Sequence, residues 1–224
     1  MEFYIGDKKY NYTEEQLELH LLSDEGTEGN VYEIKGQAVK IYKPYCQKTR
    51  LNEKQVEELK QIETERLLLP IETVYNETRN FNGYTTRLIR CASKDNIRRM
   101  KMTKMLEEMR KCTEDVRKLS KLGISINDLN YDNIVFGDGI YVCDPGSFIR
   151  EEHETEREIE RENKYHVNTL FIDEIFGLCC GLTKKQKLKL KDIVSPGEYL
   201  SEMLSFEDIN QNETALHFVK RITK

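Results

Sequence analysis

The hydrophobic pattern of this chain changes period once, and that change limits the folds open to it. Up to about Cys91 the apolar residues recur mainly with the period of strands. Val31 to Ile34 and Gln37 to Tyr42 alternate apolar and polar side chains around Lys35-Gly36, a pair suited to a tight hairpin. Two further strands are expected over Leu68 to Tyr75 and Gly83 to Ile89, on either side of a turn-rich NETRNFNG. One helix interrupts them, Asn52 to Ile62, with Val56, Leu59 and Ile62 on one side. Beyond a connector near Cys91 to Asn96 the period becomes helical. Leu106, Met109, Val116 and Leu119 recur at helical spacing from Thr103 to Leu122, and Gly123 follows as a stop. Tyr165 to Leu178 reads as a buried helix, and two or three amphipathic helices, broken near Pro196-Gly197, are expected before Lys224. Strands followed by helices predict an α+β architecture with a strand-rich part over 1–91 and a helical part over 92–224.

Composition narrows the class further. Hydrophobic residues make up 38% and charged residues 33% of the 224, a highly charged surface around an ordinary core. A formal net charge of −5 argues against a general nucleic-acid binder. Charge is uneven, with Glu151 to Glu162 mostly acidic and five lysines between Lys184 and Lys191; such runs are usually solvated faces. Six cysteines show no CxxC spacing and no histidines at zinc-ligand spacing, so they read as reduced thiols of a cytoplasmic protein. The first residues, MEFYIGDKKY, lack a signal pattern, and Leu170 to Leu182 is too short and too charged to span a bilayer. No membrane partner is expected.

Chemistry concentrates between Gly123 and Phe148, GISINDLNYDNIVFGDGIYVCDPGSF. A helix ends at a glycine, and the loop after it offers Asp128 and Asn133, five positions apart. A short hairpin across Gly137-Asp138-Gly139 then delivers Asp144 directly before Pro145-Gly146. Taken singly, such residues suit turns for backbone reasons. As an ordered set they offer a carboxylate for an attacking hydroxyl and two oxygen donors for Mg²⁺, a hard cation that prefers oxygen and substrate phosphates. Phosphoryl transfer asks the protein for little beyond positioning and charge neutralisation.

This segment resembles the catalytic loop and metal motif of the eukaryotic-like protein kinase superfamily, His-Arg-Asp-Leu followed at an interval by Asn, then Asp-Phe-Gly. The resemblance implies a bilobal fold, a strand-rich N-lobe with one main helix and a truncated helical C-lobe. It implies Asp128 as catalytic base, Asn133 and Asp144 as Mg²⁺ ligands, and ATP as cosubstrate. The N-terminal part extends it. Glu25-Gly26-Thr27-Glu28-Gly29-Asn30-Val31-Tyr32 resembles the later part of the glycine-rich loop, with Asp24 in place of its first glycine. Gly26 and Gly29 would let backbone approach the phosphates, and Val31 would lie over the adenine. Ala38-Val39-Lys40 resembles the strand that carries the ATP lysine, eleven residues past Gly29. Its family partner is a helix glutamate; Glu58 fits that role, with Glu57 and Glu53 in reserve. Tyr84 to Ile89 resembles the strand entering the hinge, with Thr86 as gatekeeper and Leu88 to Arg90 presenting backbone to adenine.

The chain departs from the pattern at named positions. Ile126 and Asn127 stand where His-Arg would, which removes the cation that reads a phosphorylated activation loop. Pro145 replaces the phenylalanine and is expected to hold Asp144 in extended backbone. Asn130 stands where a lysine usually meets the γ-phosphate, and no Ala-Pro-Glu motif follows Asp144. The expected function is an ATP- and Mg²⁺-dependent phosphotransferase acting on Ser/Thr hydroxyls of a protein substrate. The alternatives are a small-molecule kinase or nucleotidyl transferase and, from another class, a pseudokinase scaffold.

Overall fold

A computed structural model describes residues 1–45, 50–92, 94–127, 129–194, 198–210 and 212–224. The chain divides into two compact units. The first comprises Met1–Thr64, Leu68–Ile89 and Asp144–Ser147, and the second Glu65–Leu67, Arg90–Cys143 and Phe148–Lys224.

The first unit is a seven-stranded antiparallel sheet with two short helices. Its strands are β1 (Glu2–Ile5), β2 (Lys8–Asn11), β3 (Leu21–Ser23), β4 (Gly29–Ile34), β5 (Gln37–Tyr42), β6 (Glu72–Asn76) and β7 (Phe81–Arg87). Their order in space is β2-β1-β6-β7-β5-β4-β3. The β4–β5 turn is the tight hairpin expected from Lys35-Gly36, and both residues take positive φ, 52° and 78°. Such a turn matches the twist of the strands it joins. Phe3, Ile5, Tyr32, Ile34, Val39, Ile41 and Val74 from four strands pack with Leu17 of the helix α1 (Glu14–Glu18) into one core. The second helix, α2 (Glu53–Leu59), begins at Asn52, whose side chain and that of Gln55 form a reciprocal capping box. It buries Val56 and Leu59, as its spacing predicts, but ends one turn earlier than Ile62.

The second unit is mainly helical. After α3 (Lys94–Arg99) comes α4 (Met102–Lys121), twenty residues that bury Met102, Met105, Leu106, Met109, Val116 and Leu119 along one face. Gly123 terminates it at φ +73°, a conformation glycine adopts without a Cβ clash. Two small sheets follow. One is the hairpin β9 (Ile134–Phe136) and β10 (Ile140–Val142). The other pairs β8 (Ile124–Ile126) with β11 (Phe148–Arg150). In that pair Ile126 lies opposite Phe148, and both are buried. Ile126 therefore serves the core.

The acidic run is part irregular connection, 151–155, and part helix. The helix α5 (Glu156–Thr169) starts at a Thr155–Glu158 capping box, with Glu156 and Glu158 at the dipole's positive end. Where one helix was expected over Tyr165 to Leu178, α5 instead passes at Leu170 into a wider, π-helical winding that runs to Cys179. Lys187, from α6 (Lys184–Ile193), donates to the Asp173 carbonyl at 3.1 Å and so ties this winding to the next helix. The chain ends in α7 (Leu200–Met203) and α8 (Ala215–Ile222); Pro196 and Gly197 lie outside the described residues.

Two polar clusters hold the second unit together. Glu108 of α4, fully buried, accepts from Arg66 Nε and Nη2, from Lys104 Nζ and from the backbone N–H of Ile140 in the hairpin. Asn163 of α5, also fully buried, accepts from the Ile126 N–H and donates to Ser120 Oγ and the Ile124 carbonyl. Both satisfy backbone groups that would otherwise be stranded away from water. No helix among the described residues is long and apolar enough to cross a membrane.

Candidate functional site

The chemistry gathers around Lys40 in the first unit. β5 lies between β4 and β7, and Lys40 is in register with Val31 on one side and Tyr84 on the other. The backbones approach closely there because two residues lack side chains. A Cβ on Gly29 would stand 2.5 Å from the Ile41 carbonyl oxygen, and one on Gly83 would stand 2.0 Å from that of Lys40. Gly83 also has φ +149°, which side-chain-bearing residues rarely adopt.

Lys40 is 7% exposed, and its ammonium carries two carboxylates. Nζ donates to Asp144 Oδ1 at 2.6 Å and to Glu28 Oε2 at 2.8 Å. The Tyr84 ring lies 5.8 Å from the ammonium, in cation–π range, and its hydroxyl donates to Asp144 Oδ1 at 3.1 Å. Burial, and then the charge of Asp144, push the Tyr84 phenol well above its ordinary pKa, so it stays protonated and remains a donor. The Gly146 N–H adds a longer contact to the same oxygen, 3.4 Å. Burying such ions costs solvation, so the arrangement fixes geometry more than it adds stability.

Asp144 does not take the extended backbone expected before proline. Its φ is +58°, the left-handed region, while Pro145 is buried in a single 3₁₀ turn, Pro145–Ser147. Aspartate tolerates this conformation better than most residues because its short side chain can bond locally, here to Gly146 N–H. The cost of order 1 kcal/mol or more is offset by the three donors that fix the carboxylate.

The partner expected for Lys40 differs. Glu58 stands on α2 and ion-pairs with Lys54 one turn away, at 3.9 Å. The helix turns Val56 and Leu59 inward and leaves the Glu58 side chain one-third exposed. Glu28, inside the glycine turn, takes the lysine instead. Of the other expected residues, Gly26 is exposed and its carbonyl accepts from Lys43 Nζ at 2.7 Å. Val31 is half-buried and paired with Lys40, and Leu88 is half-buried just beyond β7. Asn133 closes a 3₁₀ turn in the second unit, half-buried, with its carbonyl accepting from Cys143 N–H at 2.8 Å. Asn130 caps that turn, its side chain accepting from the N–H groups of Asp132 and Asn133. Asp128 lies outside the described residues.

The sequence reading missed Glu28, Tyr84 and Gly83. Tyr84 was within reach, since a strand antiparallel to β5 must set some residue opposite Lys40. Glu28 was not, because nothing in a GxxG turn says which way its middle residues point.

The residues around Lys40 suit a hard cation. Every described hydrogen bond to Asp144 falls on Oδ1, which leaves Oδ2 for a metal. Mg²⁺ commonly takes one or two carboxylates and completes its shell with water and phosphate, so it needs no all-protein cage. Among the described residues there is no group of three acidic, histidine or cysteine side chains arranged for a metal.

No family model and no curated protein matches the sequence. Solved structures do. The kinase domain of Mycobacterium tuberculosis PknI is similar over 91% of this chain and 93% of that one, at 13% identity and a TM-score of 0.53. A mutant of that domain with alanine for one cysteine gives 14% identity over 91% and 92%, at the same TM-score. At such identity the likeness speaks to the fold alone, and the fold of this chain is protein-kinase-like.

Proposed function

We propose that the chain is an ATP- and Mg²⁺-dependent phosphotransferase that acts on protein hydroxyls. The observation that carries the proposal is the Lys40–Asp144 ion pair, a nearly buried ammonium from a central strand joined to a carboxylate that keeps an oxygen free for a cation. In this reading Lys40 binds the phosphates and Asp144 binds the metal, which would neutralise charge on the transferred group. Tyr84 orients Asp144 by holding its other oxygen. The turn from Gly26 to Gly29 offers backbone N–H groups to phosphate, and Val31 and Leu88 offer apolar and backbone surface to the base. Asp128 as the base that accepts the hydroxyl proton and Asn133 as a second metal ligand enter on the motif alone.

A second reading, nucleotide binding without turnover, is favoured by Ile126. Its buried place opposite Phe148 shows that this position has been given over to packing. The two readings part in one experiment. Purified protein is incubated with Mg²⁺ and ATP labelled at the γ- or α-phosphate, beside Asp128→Ala and Asp144→Asn. Asp128-dependent γ-label on protein supports the kinase, and α-label indicates nucleotidyl transfer. A rise in melting temperature with Mg·ATP but no label supports the silent binder. Absence of any Asp144-dependent response to Mg·ATP refutes the proposal.

A further inference from the structure

The two carboxylates on Lys40 are not held alike. Asp144 is fixed by three donors, the Lys40 ammonium, the Tyr84 hydroxyl and the Gly146 N–H. The described hydrogen-bond and ion-pair partner of the Glu28 side chain is Lys40 alone, and its carboxylate otherwise only rests beside Gly146. The Glu28 main chain is anchored separately: its carbonyl accepts from Lys43 N–H at 2.8 Å. The turn before it is tied by Lys43 Nζ to the carbonyls of Asp24 and Gly26. The Glu28 side chain can therefore swing away while the turn stays in place. Charge adds a second asymmetry. Two carboxylates against one ammonium leave the cluster one unit negative, at the spot an anionic ligand must enter.

We infer that Glu28 is a gate on Lys40: its carboxylate occupies the lysine until a phosphate displaces it, and its charge makes the site favour metal-bound over metal-free polyphosphate. The inference rests on the reading of Lys40 as a phosphate-binding residue. A polyphosphate arriving alone meets the Glu28 and Asp144 charges together, at a distance of a few ångströms and with limited screening. One arriving with Mg²⁺ brings the cation that offsets both. Glu28 thus sets the form of the ligand that is accepted, a role distinct from that of a lysine-orienting helix glutamate.

The test measures affinity for ATP and for inorganic tripolyphosphate by calorimetry, each with Mg²⁺ and with EDTA. The proteins are wild type, Glu28→Gln and Glu25→Gln. Glu25→Gln makes the same change in net charge three residues away, in an exposed position. Glutamine keeps the Glu28 side-chain volume, and an unchanged circular dichroism spectrum confirms that the variant folds. Glu28→Gln should bind both metal-free ligands about tenfold more tightly than wild type, with a smaller gain when Mg²⁺ is present. Glu25→Gln should stay within about twofold of wild type. Equal or weaker metal-free binding by Glu28→Gln overturns the gate, as does an equal gain in Glu25→Gln. Tripolyphosphate separates the two readings. If it gains affinity in Glu28→Gln while ATP binds no variant, the gate stands and the nucleotide reading falls.

Discussion

Replacing Glu108 by glutamine removes one charge and almost no volume from the interior of the second unit. Glu108 accepts from Arg66 Nε at 2.5 Å and Nη2 at 3.0 Å, from Lys104 Nζ at 2.8 Å and from Ile140 N–H at 3.2 Å. A carboxamide keeps one acceptor oxygen, and with it two of these four contacts, but in either orientation it turns an N–H₂ towards the Arg66 guanidinium. The Lys104 side chain is 42% exposed and can move into water at little cost, whereas Arg66 is only 7% exposed and cannot. Breaking a buried pair from one side costs about 3–5 kcal/mol, a large share of the roughly 5–15 kcal/mol that holds a domain folded. For a chain of this size the melting temperature should fall by about 10 °C. The pH dependence carries a separate sign. Burial alone would raise the Glu108 pKa, but Arg66, Lys104 and the Ile140 N–H outweigh it and hold the carboxyl below its usual 4.5. A depressed carboxyl contributes stability that is full above its unfolded value and lost as pH falls through the folded one. Urea titrations of wild type and Glu108→Gln should therefore differ most near neutrality and converge below pH 4.5. A gap under about 1 kcal/mol at neutral pH, or one that does not narrow in acid, would refute the reasoning.

Three further outcomes are expected. Gly83→Ala should lower the urea midpoint by about 2–4 kcal/mol in stability, because its Cβ meets the Lys40 carbonyl and its φ is unfavourable; a loss below about 1 kcal/mol would show that β7 can shift. Asn163→Ala strands the Ile126 N–H and the Ile124 carbonyl. It should cost about 2–4 kcal/mol and speed amide exchange at Ile126, and slow exchange there would count against it. Alkylation in native buffer should modify exposed Cys91 ahead of Cys112 and Cys180. Burial, with Asp115 near Cys112 and Cys179 near Cys180, pushes both of those thiols up to about 12, and early loss of either in peptide mass mapping would contradict this.

What could be read from the sequence depended on how local its cause was. The Lys35-Gly36 hairpin, the length of α4 and its stop at Gly123 rest on periodicity and on backbone preferences of single residues, and the structure has them where expected. The order helix, glycine, loop, hairpin and Asp144 rests on the same local signals. The Asp144 backbone went the other way. The rule for residues before proline favours extended geometry, and here the ammonium of Lys40 and the hydroxyl of Tyr84 draw the carboxylate to a different conformation. The choice of Glu28 over Glu58 is likewise tertiary. Spacing points only to the glutamates of α2, whereas which carboxylate reaches Lys40 depends on how the glycine turn lies over the sheet. Glu108 and Asn163 sit in amphipathic helices as unremarkable polar residues, and their burial appears only when the backbone groups they serve are in place.

Gly29 and Gly83, on either side of β5, also bear on how the chain assembles. In the observed pairing Gly29 lies opposite Tyr42 and Gly83 opposite Ile41. Sliding β5 by one residue would demand a side chain at one flank or the other in a space that has no room for a Cβ. Two missing methyl groups thus act as a proofreading step during folding. A sheet that closes at all has closed with Lys40 opposite Val31 and Tyr84, so misassembled chains should be unfolded rather than folded in a second register.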